Sequence, residues 1–312
     1  METGDRRAAT RRVFLKLCGS VLGAGIAAPI DARLIEPYAI EVTRHDVYLP
    51  TLPPTLDGIT VAHLTDLHRG PITPDSVLEH AVRITQALAP DLIALTGDFV
   101  HRDPADADPL ARMLAPLRAR YGIWACLGNH DYADGPEKVA RSLIVGTEGR
   151  IRFLRNTNAD VVRGLYIAGI EDTIYGVPDA RAAWQGIPDN AATLYLTHNP
   201  TGIHGVAGRS CIALSGHTHG GQILVPGLPI PMPPDMENFP YAAGWGTFGA
   251  AHLYISRGVG MGLAPIRFRC RPEIALHVLR RGDSPPRTMP GFSERALRRT
   301  ARAARAIARR LT

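Results

Sequence analysis

Hydrophobic residues along this chain gather in short runs, and five of those runs break off at a side chain able to bind a proton or a metal ion. "GITVAHLTD", "DLIALTGD", "GIWACLGNHD", "ATLYLTH" and "CIALSGHTH" are rich in Ile, Val, Leu or aromatics, and each ends in a carboxylate, an amide or an imidazole. Apolar runs of this length read as buried strands. Between the first two, "TPDSVLEHAVRITQALAP" switches to a helical period. Leu78, Ala81, Val82, Thr85 and Leu88 mark one face, with Thr73 placed as N-cap and Pro74 at the first helical position. Between the second and third, Leu110, Met113, Leu114 and Leu117 repeat that period after Asp108-Pro109, and Pro116 bends or closes the helix early. Strand, helix and strand joined by short links predict an α/β protein with largely parallel pairing, covering helices, and ligands bound beyond the carboxyl ends of the strands.

Residues 221–250, "GQILVPGLPIPMPPDMENFPYAAGWGTFGA", break this rhythm. The segment is too rich in Pro and Gly for regular structure and carries Phe239, Tyr241, Trp245 and Phe248. It is either a binding loop or lid, or a surface loop packed on its own aromatics. "LYISRGVGMGLAPIRFRCRPEIALHVLRR" then reads as closing strands. In the tail, Leu297, Ala301, Ala304, Ala308 and Leu311 form one helical stripe among arginines, a pattern that suits either an anionic membrane surface or a solvated tail.

The formal charge of +6 belongs to the ends of the chain. Residues 293–312 carry +6 and residues 1–30 carry +3, which leaves the body at −3. Nothing in that body suggests a nucleic-acid partner. The four cysteines, Cys18, Cys126, Cys211 and Cys270, form neither a CxxC pair nor a zinc-ribbon spacing, and they read as free thiols. At the N-terminus "TRRVFLKL" leads into "CGSVLGAGIAAPI", a basic stretch followed by a modestly apolar one too short to span a bilayer comfortably. Arg11-Arg12 followed by Val-Phe-Leu-Lys resembles a twin-arginine export signal. That resemblance implies export of the folded protein by the twin-arginine machinery across the cytoplasmic membrane, with residues 1–32 cleaved or kept as an anchor. Residues 33–282 then form the functional domain and 283–312 an Arg/Ala-rich tail.

The polar run ends, taken in order, are Asp66-x-His68, Gly97-Asp98, Gly128-Asn129-His130-Asp131, His198-Asn199 and Gly216-His217-x-His219. In an extended segment His217 and His219 point the same way, so both can serve one metal ion or two neighbouring ones. Gly216, Gly220 and Gly221 allow close approach and sharp turns there. Oxygen and imidazole donors without thiolate suit Mn, Fe or Zn, and so many donors suit two ions better than one. The five blocks together resemble the calcineurin-like metallophosphoesterase family, and "SGHTHGGQ", "SRGVG" and "RCRPEI" resemble its exported bacterial branch.

That resemblance implies a four-layer αββα sandwich of two mixed sheets. It also implies two metal ions, one held by Asp66, His68, Asp98 and His219, the other by Asp98, Asn129, His198 and His217. It gives His130 a role on the phosphoryl or leaving oxygen, and Asp131 is placed beside it to fix its tautomer. The implied reaction is hydrolysis of a phosphate ester by a water activated between the ions. The expected substrate is a cell-envelope or lipid-linked phosphodiester, phospholipids included. The alternatives are a UDP-2,3-diacylglucosamine-type pyrophosphate hydrolase, favoured if Trp245 and Phe248 flank the opening, and a non-catalytic phosphate-ligand binding protein. His45, His63, His80, His101, His204, His252 and His277 match no block and read as structural or surface residues.

Overall fold

The structure, a computed structural model, describes residues 29–284. The Arg11-Arg12 signal and the basic tail stripe lie outside them. All five apolar runs become strands: β2 (Thr60–Leu64), β3 (Leu92–Thr96), β4 (Ile123–Cys126), β8 (Ala192–Leu196) and β9 (Cys211–Ser215). One sheet adds β1 (Glu41–Leu49), β5 (Ile151–Phe153) and β12 (Glu273–Arg281), in the order β1-β12-β2-β3-β4-β5. The other adds β6 (Thr157–Val162), β7 (Leu165–Gly169), β10 (Gly244–Phe248) and β11 (Ala251–Ile255), in the order β10-β11-β9-β8-β7-β6. Pairing is parallel through β2-β3-β4-β5 and through β11-β9-β8-β7. It is antiparallel at β12-β2, β10-β11 and β6-β7, so both sheets are mixed.

Alternate residues of the buried strands enter different layers. In β3, Ile93 and Leu95 join Leu78, Ala81, Leu110 and Leu143 from the helices α1 (Asp75–Leu88), α2 (Ala107–Leu114) and α4 (Pro136–Gly146). Leu92 and Ala94 point the other way, into a core shared with Leu194, Leu196, Ile212 and Leu214 of the second sheet. The far face of that sheet packs Tyr195, Ala213 and Leu253 against Trp184, Ile203 and Val206. Helix, sheet, sheet and helix layers follow in that order, giving the four-layer αββα sandwich.

Three local details depart from the pattern-based expectation. Pro74, not Thr73, stands at the N-cap of α1, because the Thr73 hydroxyl instead accepts a hydrogen bond from the Met261 N–H at 2.9 Å. The end of the 221–250 segment forms edge strand β10 despite its glycines, since it pairs in register with β11. Ala32, within the stretch assigned to the leader, is buried and its carbonyl accepts from Arg267 N–H at 2.9 Å. No described helix is long and apolar enough to cross a membrane.

One polar cluster is sealed in and around the inter-sheet core. Glu273 accepts from Tyr254 Oη and Thr43 Oγ1, and His45, His63 and His277 gather around the Tyr254 ring. Neither ring nitrogen of His277 has a protein partner. Burial lowers His63 to about 4 and takes His277 well below its ordinary 6.5. A histidine depressed in this way supports folding fully above its unfolded value and loses that support as pH falls toward the folded one. Stability is therefore expected to decline from about pH 6.5 toward pH 4. In urea titrations His277→Phe should make that acid limb shallower, by up to about 1.4 kcal/mol per pH unit. Because the metal-ligand set is common to both proteins, parallel acid limbs would contradict this assignment.

Candidate metal centre

The polar residues at the carboxyl ends of β2, β3, β4, β8 and β9 meet where the two sheets come together. Asp98, just past β3, lies at the centre: its Oδ2 is 3.3 Å from His68 Nε2 and 3.3 Å from His198 Nε2. On one side Asp66, His68 and His219 converge, with His219 Nε2 3.3 Å from Asp66 Oδ1 and 3.0 Å from His68 Nε2. On the other, Asn129 Oδ1 lies 3.0 Å from His198 Nε2 and 2.8 Å from His217 Nδ1. The structure thus brings all seven residues together as two groups that share Asp98.

The chemistry of these donors fits metal ions. His198 Nδ1–H donates to the Thr96 carbonyl at 2.7 Å, which turns Nε2 toward Asp98 and Asn129 as the atom a metal would take. The Nδ1 atoms of His68 and His219 are buried without protein partners, and their Nε2 atoms face each other. Two imidazole lone pairs at that separation repel unless a proton or a cation lies between them. Burial lowers His219 to about 3 despite Asp66, so its ring is neutral and keeps one lone pair for a cation or for an N–H of the facing His68 ring. Burial also works against the Asp98 anion, yet His198 and His68 hold it well below the ordinary carboxylate range. Against burial, Asp98 raises His198 to about 10, so without metal a proton on His198 supplies part of the cationic charge that this buried anion needs, and a cation bound at Nε2 would take its place.

The backbone is bent to deliver these groups. Asp66, His68, Asp98, His217 and His219 all have φ between 43° and 72°, the left-handed region that side chains seldom occupy. Local strain of this kind concentrates where function needs it. His217 and His219 are therefore not neighbours on an extended face: a left-handed turn at each sends one imidazole to each donor group. Gly128 and Gly216 are fixed by close approach, since a methyl at either would overlap the carboxylate of Asp98 or Asp66.

His130 opens onto the cleft at the start of α3 (Asn129–Asp134), and its backbone N–H donates to Asp98 Oδ1 at 2.9 Å. Asp131 does not assist it, contrary to expectation. Its carboxylate is fully buried and accepts from the N–H groups of Phe99, Val100 and Gly128, so it ties the loop after β3 to the loop after β4. Burial and the Asp98 charge push it up to about 7. The rings beside His130 are instead those of His68, edge-on at 4.8 Å, and His101, stacked at 5.1 Å with a 23° interplanar angle. His101 lies outside every motif block, and its three-residue spacing from Asp98 is its signal in the sequence.

Two further residues escaped the sequence reading. Asp235 accepts from His217 Nε2 at 3.1 Å and from Asn199 Nδ2 at 2.7 Å, so it orients a donor from its outer side. Gln222 receives the Gly262 and Leu263 N–H groups and donates to the carbonyls of Ala264 and Ile266, which fastens that loop beside His219. The aromatics of the 221–250 segment lie elsewhere. Trp245 is buried in the inter-sheet core, and Phe239, Tyr241 and Phe248 pack on one another and on the outer core. What the segment gives the cleft is Gly221 and Gln222 at its start and the run from Pro231 to Asp235. The cleft measures about 510 Å³; a larger depression of about 660 Å³ beside Trp184 and Arg209 holds none of the donors.

A carboxylate on the outer nitrogen of a metal-binding imidazole strengthens and orients the ligand. Asp235→Asn should therefore weaken the Asn129–His198–His217 group for Mn(II) by about 10-fold or more and leave the Asp66–His68–His219 group unchanged. Calorimetric titration of metal-free protein reads both steps, and equal losses at the two would contradict the assignment.

Comparison with known proteins agrees with this geometry. The profile of the calcineurin-like phosphoesterase family matches residues 59–221. Metallophosphoesterase YkuE of Bacillus subtilis (strain 168) is 31% identical, over 87% of this chain and 98% of its own. Phosphodiesterase YaeI of Escherichia coli (strain K12) is 33% identical over 77% and 88%. The UDP-2,3-diacylglucosamine pyrophosphatase LpxG of Chlamydia trachomatis is 29% identical over 82% and 94%. The profile match encloses every donor from Asp66 to His219, and the chain belongs to the calcineurin-like phosphoesterase family, hydrolases of phosphoesters that use a binuclear metal centre.

Proposed function

We propose that the protein is a phosphodiesterase that hydrolyses a lipid-linked phosphate ester of the cell envelope, outside the cytoplasmic membrane. The observation that carries this reading is a cleft with two unlike walls. One wall is the pair of donor groups sharing Asp98; the other is Ile174, Tyr175, Met232, Pro233 and Leu263. A diester brings one negative charge and two organic groups, and an apolar wall beside the charged centre matches that division. The Arg11-Arg12 signal supports placement beyond the membrane.

Asp66, His68, Asp98 and His219 would hold one ion and Asp98, Asn129, His198 and His217 the other, with Mn, Fe or Zn suited to such donors. Ions held there would lower the pKa of water and neutralise charge on phosphoryl oxygens. The side chains around them do the rest. His130, its main chain held by Asp98, directs an imidazole into the cleft to donate to a phosphoryl or leaving oxygen. His101 limits its rotation by stacking against it. The apolar wall seats an organic group of the diester and excludes water from it.

A pyrophosphate bond in a nucleotide-linked lipid is the second reading, supported by the LpxG relatives. The aromatic flanks expected for it are absent, since Trp245 and Phe248 lie away from the cleft. The Mn-reconstituted full chain should hydrolyse bis(p-nitrophenyl) phosphate faster than p-nitrophenyl phosphate. Asp98→Ala and Asn129→Ala should abolish turnover. His130→Ala should lower kcat by about 10²–10³-fold with metal content unchanged. Preference for the monoester, for UDP-2,3-diacylglucosamine, or persistent turnover after metal stripping would overturn the proposal.

A further inference from the structure

We infer that the apolar rim of the cleft is a membrane-docking face, on which the protein sits with the mouth of its metal centre against the lipid headgroups. Residues 223–234, "ILVPGLPIPMPP", contain twelve successive side chains without a charged or hydrogen-bonding group apart from the Met232 thioether. They are nonetheless at the surface: Leu228 is 57% exposed, and Val225, Pro226, Pro229 and Pro231 are exposed as well. Beside them Leu263 is 73% exposed, and Leu34 and Ile35 are 64% and 56% exposed. An exposed apolar face of this kind marks a contact with another apolar phase.

These three segments form one unit. Leu224 N–H donates to the Phe268 carbonyl at 2.8 Å, and Gln222 clasps Ala264 and Ile266. Arg267 N–H donates to the Ala32 carbonyl, and the Arg33 guanidinium donates to the Pro265 carbonyl at 2.9 Å. Glu36 accepts from the backbone N–H groups of Arg269 and Cys270. The unit is continuous with the cleft, because Gly221, Pro231, Met232 and Leu263 line both.

Three observations select a bilayer as the occupant over a protein. First, five prolines in 223–234 remove backbone donors, and the side chains offer no hydrogen bond, so a specific polar partner has little to read. Second, Arg33, Arg269 and Arg271 are exposed on the side of the face built from residues 33–35 and 263–271, as an anionic headgroup layer requires, while Asp235 and Glu237 are exposed past its other end. Third, the described chain begins at this face, and the sixteen residues before it, "VFLKLCGSVLGAGIAA", carry one charge. The inference deepens the lipid-phosphodiester reading by stating how such a substrate is presented, but its test needs no turnover.

Leu228→Trp and, on the helical layer over the first sheet, Val145→Trp each add one exposed indole to the full chain, whose Trp124, Trp184 and Trp245 are buried. Each variant is mixed with vesicles of phosphatidylglycerol and phosphatidylethanolamine carrying brominated acyl chains. The added emission of Leu228→Trp is expected to be largely quenched and that of Val145→Trp to be unchanged. Equal quenching of both, or quenching of neither, overturns the inference. A doubled mass in lipid-free light scattering, with Leu228→Trp already blue-shifted and unaffected by vesicles, would assign the face to a second copy and overturn it too. Loss of diester hydrolysis alongside intact quenching would instead sink the catalytic reading and leave the docking face standing.

Discussion

The carboxylate of Asp98 is the point on which this molecule turns. It sits where the carboxyl edges of two sheets meet, is 2% exposed, and lies within 3.3 Å of an imidazole from each donor group while fixing His130 through its backbone. A buried anion shared in this way is tolerable only if cationic charge is supplied nearby. The αββα arrangement makes it possible, because two stacked sheets deliver ligands from five strand ends to one spot that no single sheet edge could fill.

The rest of the architecture supports that junction. Left-handed residues at five of the seven donors reverse the chain just after β2, β3 and β9, and Gly128 and Gly216 remove the Cβ atoms that would collide with the central carboxylates. Asp131 and Gln222 bind loop to loop through backbone groups and hold the rim without facing the chemistry. Asp235 performs a related task from the proline-rich segment and ties the apolar rim to His217.

Much of this was legible in the sequence for a physical reason. Apolar runs ending in Asp, Asn or His carry both the strand and its ligand in one stretch, so order along the chain revealed the sheets and the donors together. The parts that stayed hidden depend on tertiary contact. His101 and Asp235 lie in no run end and matter only because the fold sets them beside His130 and His217. Asp131 looked like a partner of His130 from adjacency, but a helical turn sends consecutive side chains in different directions. β10 was obscured by its glycines, since pairing with β11 rather than local propensity makes it a strand. Of the two readings open for the 221–250 segment, Phe239, Tyr241 and Phe248 follow the second and pack on one another, while its prolines and Asp235 line the cleft.

The central claim is that two ions share Asp98. Electron paramagnetic resonance of the full chain loaded with two equivalents of Mn(II) tests it most directly, because a shared carboxylate couples the two spins. The account requires an exchange-coupled spectrum that collapses to isolated Mn(II) signals in Asp98→Asn. Two equivalents bound with only uncoupled six-line signals in the unaltered protein would contradict it.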